Sequence, residues 1–193
     1  MRVNSLAWAS AALGFLFVPA VHAAIVVTAS LSGAAEFQPN ASPGTGFATV
    51  QLDTVAHTLK VDVTFSDLIG TTTASHIHAP TALPGTGTAA VATETPTFAG
   101  FPLIVTSGTY SHTFDTTLTS TWNAPFVTAS GGTALGAEAA LAADLQAGTA
   151  YLNIHTTEFP GGEIRGFLVP EPSIVTLIGA AAIGFLARRP RIG

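Results

Sequence analysis

The sequence predicts an all-β fold, a Greek-key β-sandwich with one short helix. Three observations predict it. Apolar and polar residues alternate with period two over short runs rich in Val, Thr, Ile and Phe, as in Leu59-Lys60-Val61-Asp62-Val63-Thr64-Phe65. Clusters of Pro, Gly, Asn and Ser separate the runs, among them Pro39 to Gly44, Pro84-Gly85-Thr86-Gly87 and Pro160-Gly161-Gly162. Seven or eight such runs between turns suit a sandwich.

The 193 residues divide into a body and two apolar ends. Residues 1–23 read as a secretory signal peptide: Arg2 is the positive n-region, Leu6 to Val21 is apolar but for Ser10, and Val21-His22-Ala23 is a cleavage-type triplet. An uncleaved membrane anchor is the alternative. Residues 170–193 hold Pro170-Glu171-Pro172, an apolar run from Ser173 to Ala187, and Arg188, Arg189 and Arg191. That run of 15 residues reads as a short transmembrane helix, below the roughly 17–25 of a stable span, with a basic cap that stays cytoplasmic.

Residues 24–169 form one domain, long enough for a single well-buried core. Up to Pro170 this body carries two cations, Lys60 and Arg165, against ten acids, a net charge of −8. Nucleic-acid binding is excluded, because no basic stripe is available to neutralise phosphates. With no cysteine, disulfides, thiolate metal sites and Cys nucleophiles are excluded as well.

The strand-like runs are Ile25–Ser32, Gly46–Leu52, Leu59–Phe65, Ala74–His78, Ala89–Thr93, Gly108–Phe114, Tyr151–Thr156 and Glu163–Leu168. The helix is Ala134–Ala147, rich in Ala, Leu and Glu and closed by Gly148. Pro160-Gly161-Gly162 turns the chain between the last two strands.

Chemistry concentrates on histidines. In Ser75-His76-Ile77-His78 the two imidazoles lie on one strand face and Ile77 on the other. In Tyr151-Leu152-Asn153-Ile154-His155, Leu152 and Ile154 read as core, and Tyr151, Asn153 and His155 share the opposite face. Where these two strands are neighbours, His76, His78 and His155 converge as candidate metal ligands. Imidazole suits zinc, copper, iron or nickel, and copper(II) heads the affinity order; three His with an open position is a catalytic or labile-metal arrangement. The alternative is histidines that only hydrogen-bond neighbouring loops. Glu158 and Glu163 flank the same loop as candidate ligands or imidazole partners. His112 is a weaker candidate ligand, and His57 reads as a solvated turn residue. Arg165 reads as a lock on an acid or on loop carbonyls. No Gly-x-Ser-x-Gly or phosphate-cradling glycine loop is present, so a nucleophilic enzyme is not expected.

Several segments carry a family resemblance. Leu31-Ser32-Gly33-Ala34-Ala35-Glu36 with Pro39, Gly46-Phe47-Ala48, His76-Ile77-His78-Ala79-Pro80, Tyr151 to Thr156 and Phe159 to Gly166 resemble the CHRD domain over about residues 28–168. The resemblance implies an extracellular, immunoglobulin-like β-sandwich, secreted or surface-bound in bacteria. The His-x-His strand is also similar to the copper strand of Cu/Zn superoxide dismutase, whose zinc-loop ligands and disulfide have no counterpart here. The tail resembles the PEP-CTERM sorting signal of Gram-negative bacteria. That implies an exosortase-type partner, transient inner-membrane anchoring and delivery to the cell surface or extracellular matrix. The expected function is a non-catalytic binding or adhesion module for an extracellular polymer or surface protein, with metal binding at the three histidines. The alternative is a copper redox or copper-storage protein.

Overall fold

The computed structural model describes residues 24–170. The signal peptide expected at 1–23 and the sorting signal expected at 170–193, with the transmembrane helix and arginine cluster read there, lie outside the described residues but for Pro170. Among the described residues no helix is long and apolar enough to cross a membrane.

The fold is mostly β, a curled antiparallel sheet with few helices. The strands are β1 (Ile25–Ser32), β2 (Thr45–Asp53), β3 (Thr58–Ser66), β4 (Thr72–His78), β5 (Gly108–Asp115), β6 (Tyr151–Thr156), β7 (Ile164–Phe167) and β8 (Val169–Pro170). The sheet order is β4-β6-β7-β1-β2-β3-β5, with β8 pairing β1. A sandwich predicts two sheets; here hydrogen bonds link the strands into one. β1 makes the junction. It runs the length of β2 on one side, and on the other it meets Arg165 of β7 through Ser32 and Pro170 of β8 through Val27. The strands approach closely there, since a Cβ on Gly166 would strike the Ser30 carbonyl.

Alternation sets the two faces. Val27, Ala29 and Leu31 point inward from β1, Ala48, Val50 and Leu52 from β2, and Leu59, Val61, Val63 and Phe65 from β3. Ile77, Leu152, Ile154 and Ile164 continue this core across β4, β6 and β7. Helix α2 (Ala134–Ala147) covers it with a stripe of Ala134, Ala137, Leu141 and Leu145 at helical spacing. The Thr133 hydroxyl accepts from the Gly136 amide at its start, and Gly148 at φ 68° ends it.

Two expectations need correction. Ala89–Thr93 is not a strand; only isolated bridges join Val91 to His78 and Thr93 to Trp122. Its backbone follows the β4 edge, with Ala92 N donating to Ile77 O, but it also accepts from Asn123, so no continuous ladder forms. Beside α2 there is a second helix, α1 (Ala124–Ala129), with Pro125 in its first turn.

The loops before β2, after β3 and beside β6 are tied to a single carboxylate. Glu163 is 0% exposed. It accepts from Ser42 Oγ (2.6 Å), Ile69 N (2.6 Å), Gly70 N (3.1 Å) and Thr156 Oγ1 (2.6 Å). Burial pushes its pKa up, but the four donors outweigh this and hold it below the usual value. Replacing Glu163 by Ala strands these donors. We expect a loss of at least about 3 kcal/mol in urea unfolding; a loss under about 1 kcal/mol would mean that water serves the loops equally well.

Candidate metal centre

The pleat of β4 and β6 builds the site. The two strands are direct neighbours, with His76 opposite Asn153 and His78 opposite Tyr151. Ile77, Leu152 and Ile154 are 0% exposed in the core, so His76, His78, Asn153 and His155 all project from the other face, as the alternation predicts. The imidazoles of His76 and His155 lie 5.3 Å apart by ring centroid, those of His76 and His78 5.8 Å, and those of His78 and His155 6.1 Å. One nitrogen from each ring lies within 4.8 Å of the other two.

The second nitrogen of each ring is fixed by a backbone carbonyl. His76 Nε2 meets Pro96 O at 2.7 Å, His78 Nδ1 meets Ala89 O at 2.9 Å, and His155 Nδ1 meets Pro160 O at 2.8 Å. A carbonyl only accepts, so these nitrogens carry the protons. His76 Nδ1, His78 Nε2 and His155 Nε2 are left with bare lone pairs, buried and without a hydrogen-bond partner. Ring N–H groups anchored on carbonyls, with the opposite nitrogens free, are the support that metal-ligating histidines use.

Burial keeps the rings neutral. It pushes the His76 pKa down to about 4, helped by neighbouring His155 and His78 and opposed by the Pro96 carbonyl. It lowers those of His78 and His155 in the same way. The face is not open to solvent, as a simple outer face would be. His76 and His78 are 7% and 9% exposed, because the segments carrying Ala89, Pro96 and Pro160 fold over them.

Beside the imidazoles lies a buried polar layer. The His78 ring stacks on Tyr151 at 4.8 Å and 4°. The Arg165 guanidinium covers the Tyr151 ring at 4.8 Å. Arg165 donates to Ala35 O and Gly87 O and lies 3.8 Å from Glu36 Oε2, so it locks loop carbonyls and an acid as expected. Burial raises the Glu36 pKa to about 7 against the pull of Arg165.

The other candidates separate from this centre. Glu163 spends its carboxylate on the loop donors described above, and Glu158 is exposed. His112 lies on β5, at the opposite edge of the sheet from β4. His57 is not simply solvated: its Nδ1 lies 3.0 Å from Glu138 Oε2, a carboxylate buried on α2 that also accepts from Thr116. The sequence offered no signal for that pair, because the partners are 81 residues apart. Glu36 was equally hidden, but the placement of Asn153 was readable from the strand alternation.

These depressed pKa values predict how the metal-free protein responds to acid. Neutral His76 in the fold gives way to a readily protonated imidazole in the unfolded chain, so the unfolded state binds more protons between about pH 6.5 and 4. Stability is therefore full above about pH 6.5 and falls as pH drops towards 4. A His76→Gln variant should show a shallower acid dependence in chemical denaturation, and parallel pH profiles would contradict the burial argument.

No curated protein and no solved structure matches the chain. The CHRD domain family does, over residues 27–168, which takes in most of β1, all three imidazoles and the core up to Leu168. By that match the chain belongs to the CHRD domain family.

Proposed function

We propose that the protein is an exported, non-catalytic binding module whose His76, His78 and His155 take up one late first-row transition ion, copper(II) ahead of zinc. One observation carries this reading: three neutral imidazoles, each with its N–H anchored on a carbonyl and its other nitrogen unpartnered, lie so close that one nitrogen from each is within 4.8 Å of the other two. A tetrahedral ion with bonds near 2 Å needs nitrogens roughly 3.4 Å apart, so a pair at the 4.8 Å limit would close by about 1.4 Å on binding. An all-imidazole set without carboxylate suits copper or zinc and not calcium or magnesium, and copper(II) heads the affinity order.

Copper storage or redox chemistry is the second reading and uses the same imidazoles. Burial of their free nitrogens favours holding an ion over turning over a substrate. Export to the cell surface or extracellular matrix is supported by the signal-type segment at 1–23, the Pro-Glu-Pro and arginine segment at 170–193 and the acidic body. The partners proposed with it are an exosortase-type enzyme for the tail and an extracellular polymer or surface protein for the domain.

Copper(II) titration of the full-length protein, read by calorimetry and metal analysis, tests the reading. The wild type should bind one ion per chain, and a His76→Ala/His78→Ala double variant that retains its far-ultraviolet circular dichroism should lose at least a hundredfold in affinity, about 2.7 kcal/mol. Equal affinity in the two proteins would return the histidines to a structural role.

A further inference from the structure

Five buried side-chain nitrogen and oxygen atoms lack a hydrogen-bond partner among the described residues. Three are the imidazole nitrogens already described; the other two are Asn153 Oδ1 and Glu36 Oε1. Folded proteins leave few such atoms, and a group of them marks a missing partner. An ion accounts for the three nitrogens. It does not account for the two oxygens.

Both oxygens belong to the buried polar layer beside the imidazoles. Asn153, 2% exposed, lies on β6 between Tyr151 and His155, with His76 opposite it on β4 and Arg165 opposite it on β7. Its amide lies next to the His78 ring, and neither its Oδ1 nor His78 Nε2 has a hydrogen-bond partner. Glu36, 7% exposed, reaches in from the turn after β1. A Cβ on Gly162 would lie 2.5 Å from Glu36 Oε1 and 2.9 Å from Asn153 Nδ2, so the bare glycine brings the carboxylate and the amide to one spot.

Asn153 Oδ1 and an ionised Glu36 can only accept hydrogen bonds. The missing partner is therefore a donor. We infer that a water molecule completes the three-imidazole centre, with Asn153 Oδ1 accepting from it and Glu36 Oε1 ending the hydrogen-bond chain that it starts. This rests on the metal reading above and gives Asn153 and Glu36 the bound water, not the ion, to hold. It also sets ligand preference. Small anions have no hydrogen to offer Asn153 and are repelled by the Glu36 carboxylate. The Arg165 charge, which would draw them in, is held by Glu36, Ala35 O and Gly87 O.

The test uses the full-length protein loaded with copper(II), with azide as the probe, at about pH 8.5, where a carboxyl with a pKa of about 7 is ionised. Wild type, Asn153→Ala and Glu36→Gln should each bind one copper. Exchangeable-proton couplings of the bound water, read by electron-nuclear double resonance in H2O and D2O, should change in Asn153→Ala. Azide, read by its charge-transfer band, should bind Glu36→Gln about tenfold more tightly than wild type, because Arg165 then acts unopposed. If Asn153→Ala does not fold, Glu36→Gln decides alone. Unchanged azide affinity and unchanged proton couplings with copper in place would overturn the water ligand and leave the metal reading standing. A wild type that binds no copper would overturn both.

Discussion

The arrangement of this domain hangs on a charge that water does not reach. Glu163 stands at the start of the last strands, and its two oxygens collect donors from chain segments far apart in sequence. An ionised carboxylate without partners would be costly in such a place; with four donors its burial becomes an attachment point. The segments it holds lead into β2 and β4 and flank the turn that ends β6. The spacing of β4 against β6, on which the imidazole cluster depends, is fixed from beneath by core side chains and from one end by this carboxylate.

The two faces of β4, β6 and β7 follow different rules. The inner face carries Ile77, Leu152, Ile154 and Ile164, and it is ordinary close packing. The outer face carries His76, His78, Tyr151, Asn153, His155 and Arg165, and most of it is as deeply buried. Loops cover it in place of a second layer of apolar side chains, and they supply carbonyls to the N–H groups below. That arrangement fixes the ring tautomers and satisfies the guanidinium, yet leaves a cluster of acceptor atoms unmatched. A stability-driven design would have removed them.

Much of the fold was legible because strand alternation is a strong local signal. The bounds of β1, β6 and α2 agree with the sequence reading to the residue, and the shared face of His76, His78 and His155 followed from pleat geometry alone. The segment at Ala89–Thr93 has the composition of a strand, but its partners are divided between β4 and Asn123, which no local pattern encodes. The joining of all strands into one sheet depends on the β1 junction with β7 and β8, a long-range pairing of a few residues. His57 with Glu138 was illegible because the pair spans a long sequence separation; the lock by Arg165 was legible, but that Glu36 is the acid it holds was not, for the same reason.

The carbonyl anchors of the imidazoles also have a bearing on time. They come from the stretch around residues 89–96 and from the turn at residue 160, and these same segments shut the free nitrogens away from solvent. An ion arriving from outside cannot reach the nitrogens while that cover is closed, and one seated inside cannot leave. For the proposed ion, exchange would then be paced by the opening of two loops, not by diffusion or by the strength of the metal–nitrogen bonds. A domain built in this way would hold an ion by slowness as well as by affinity.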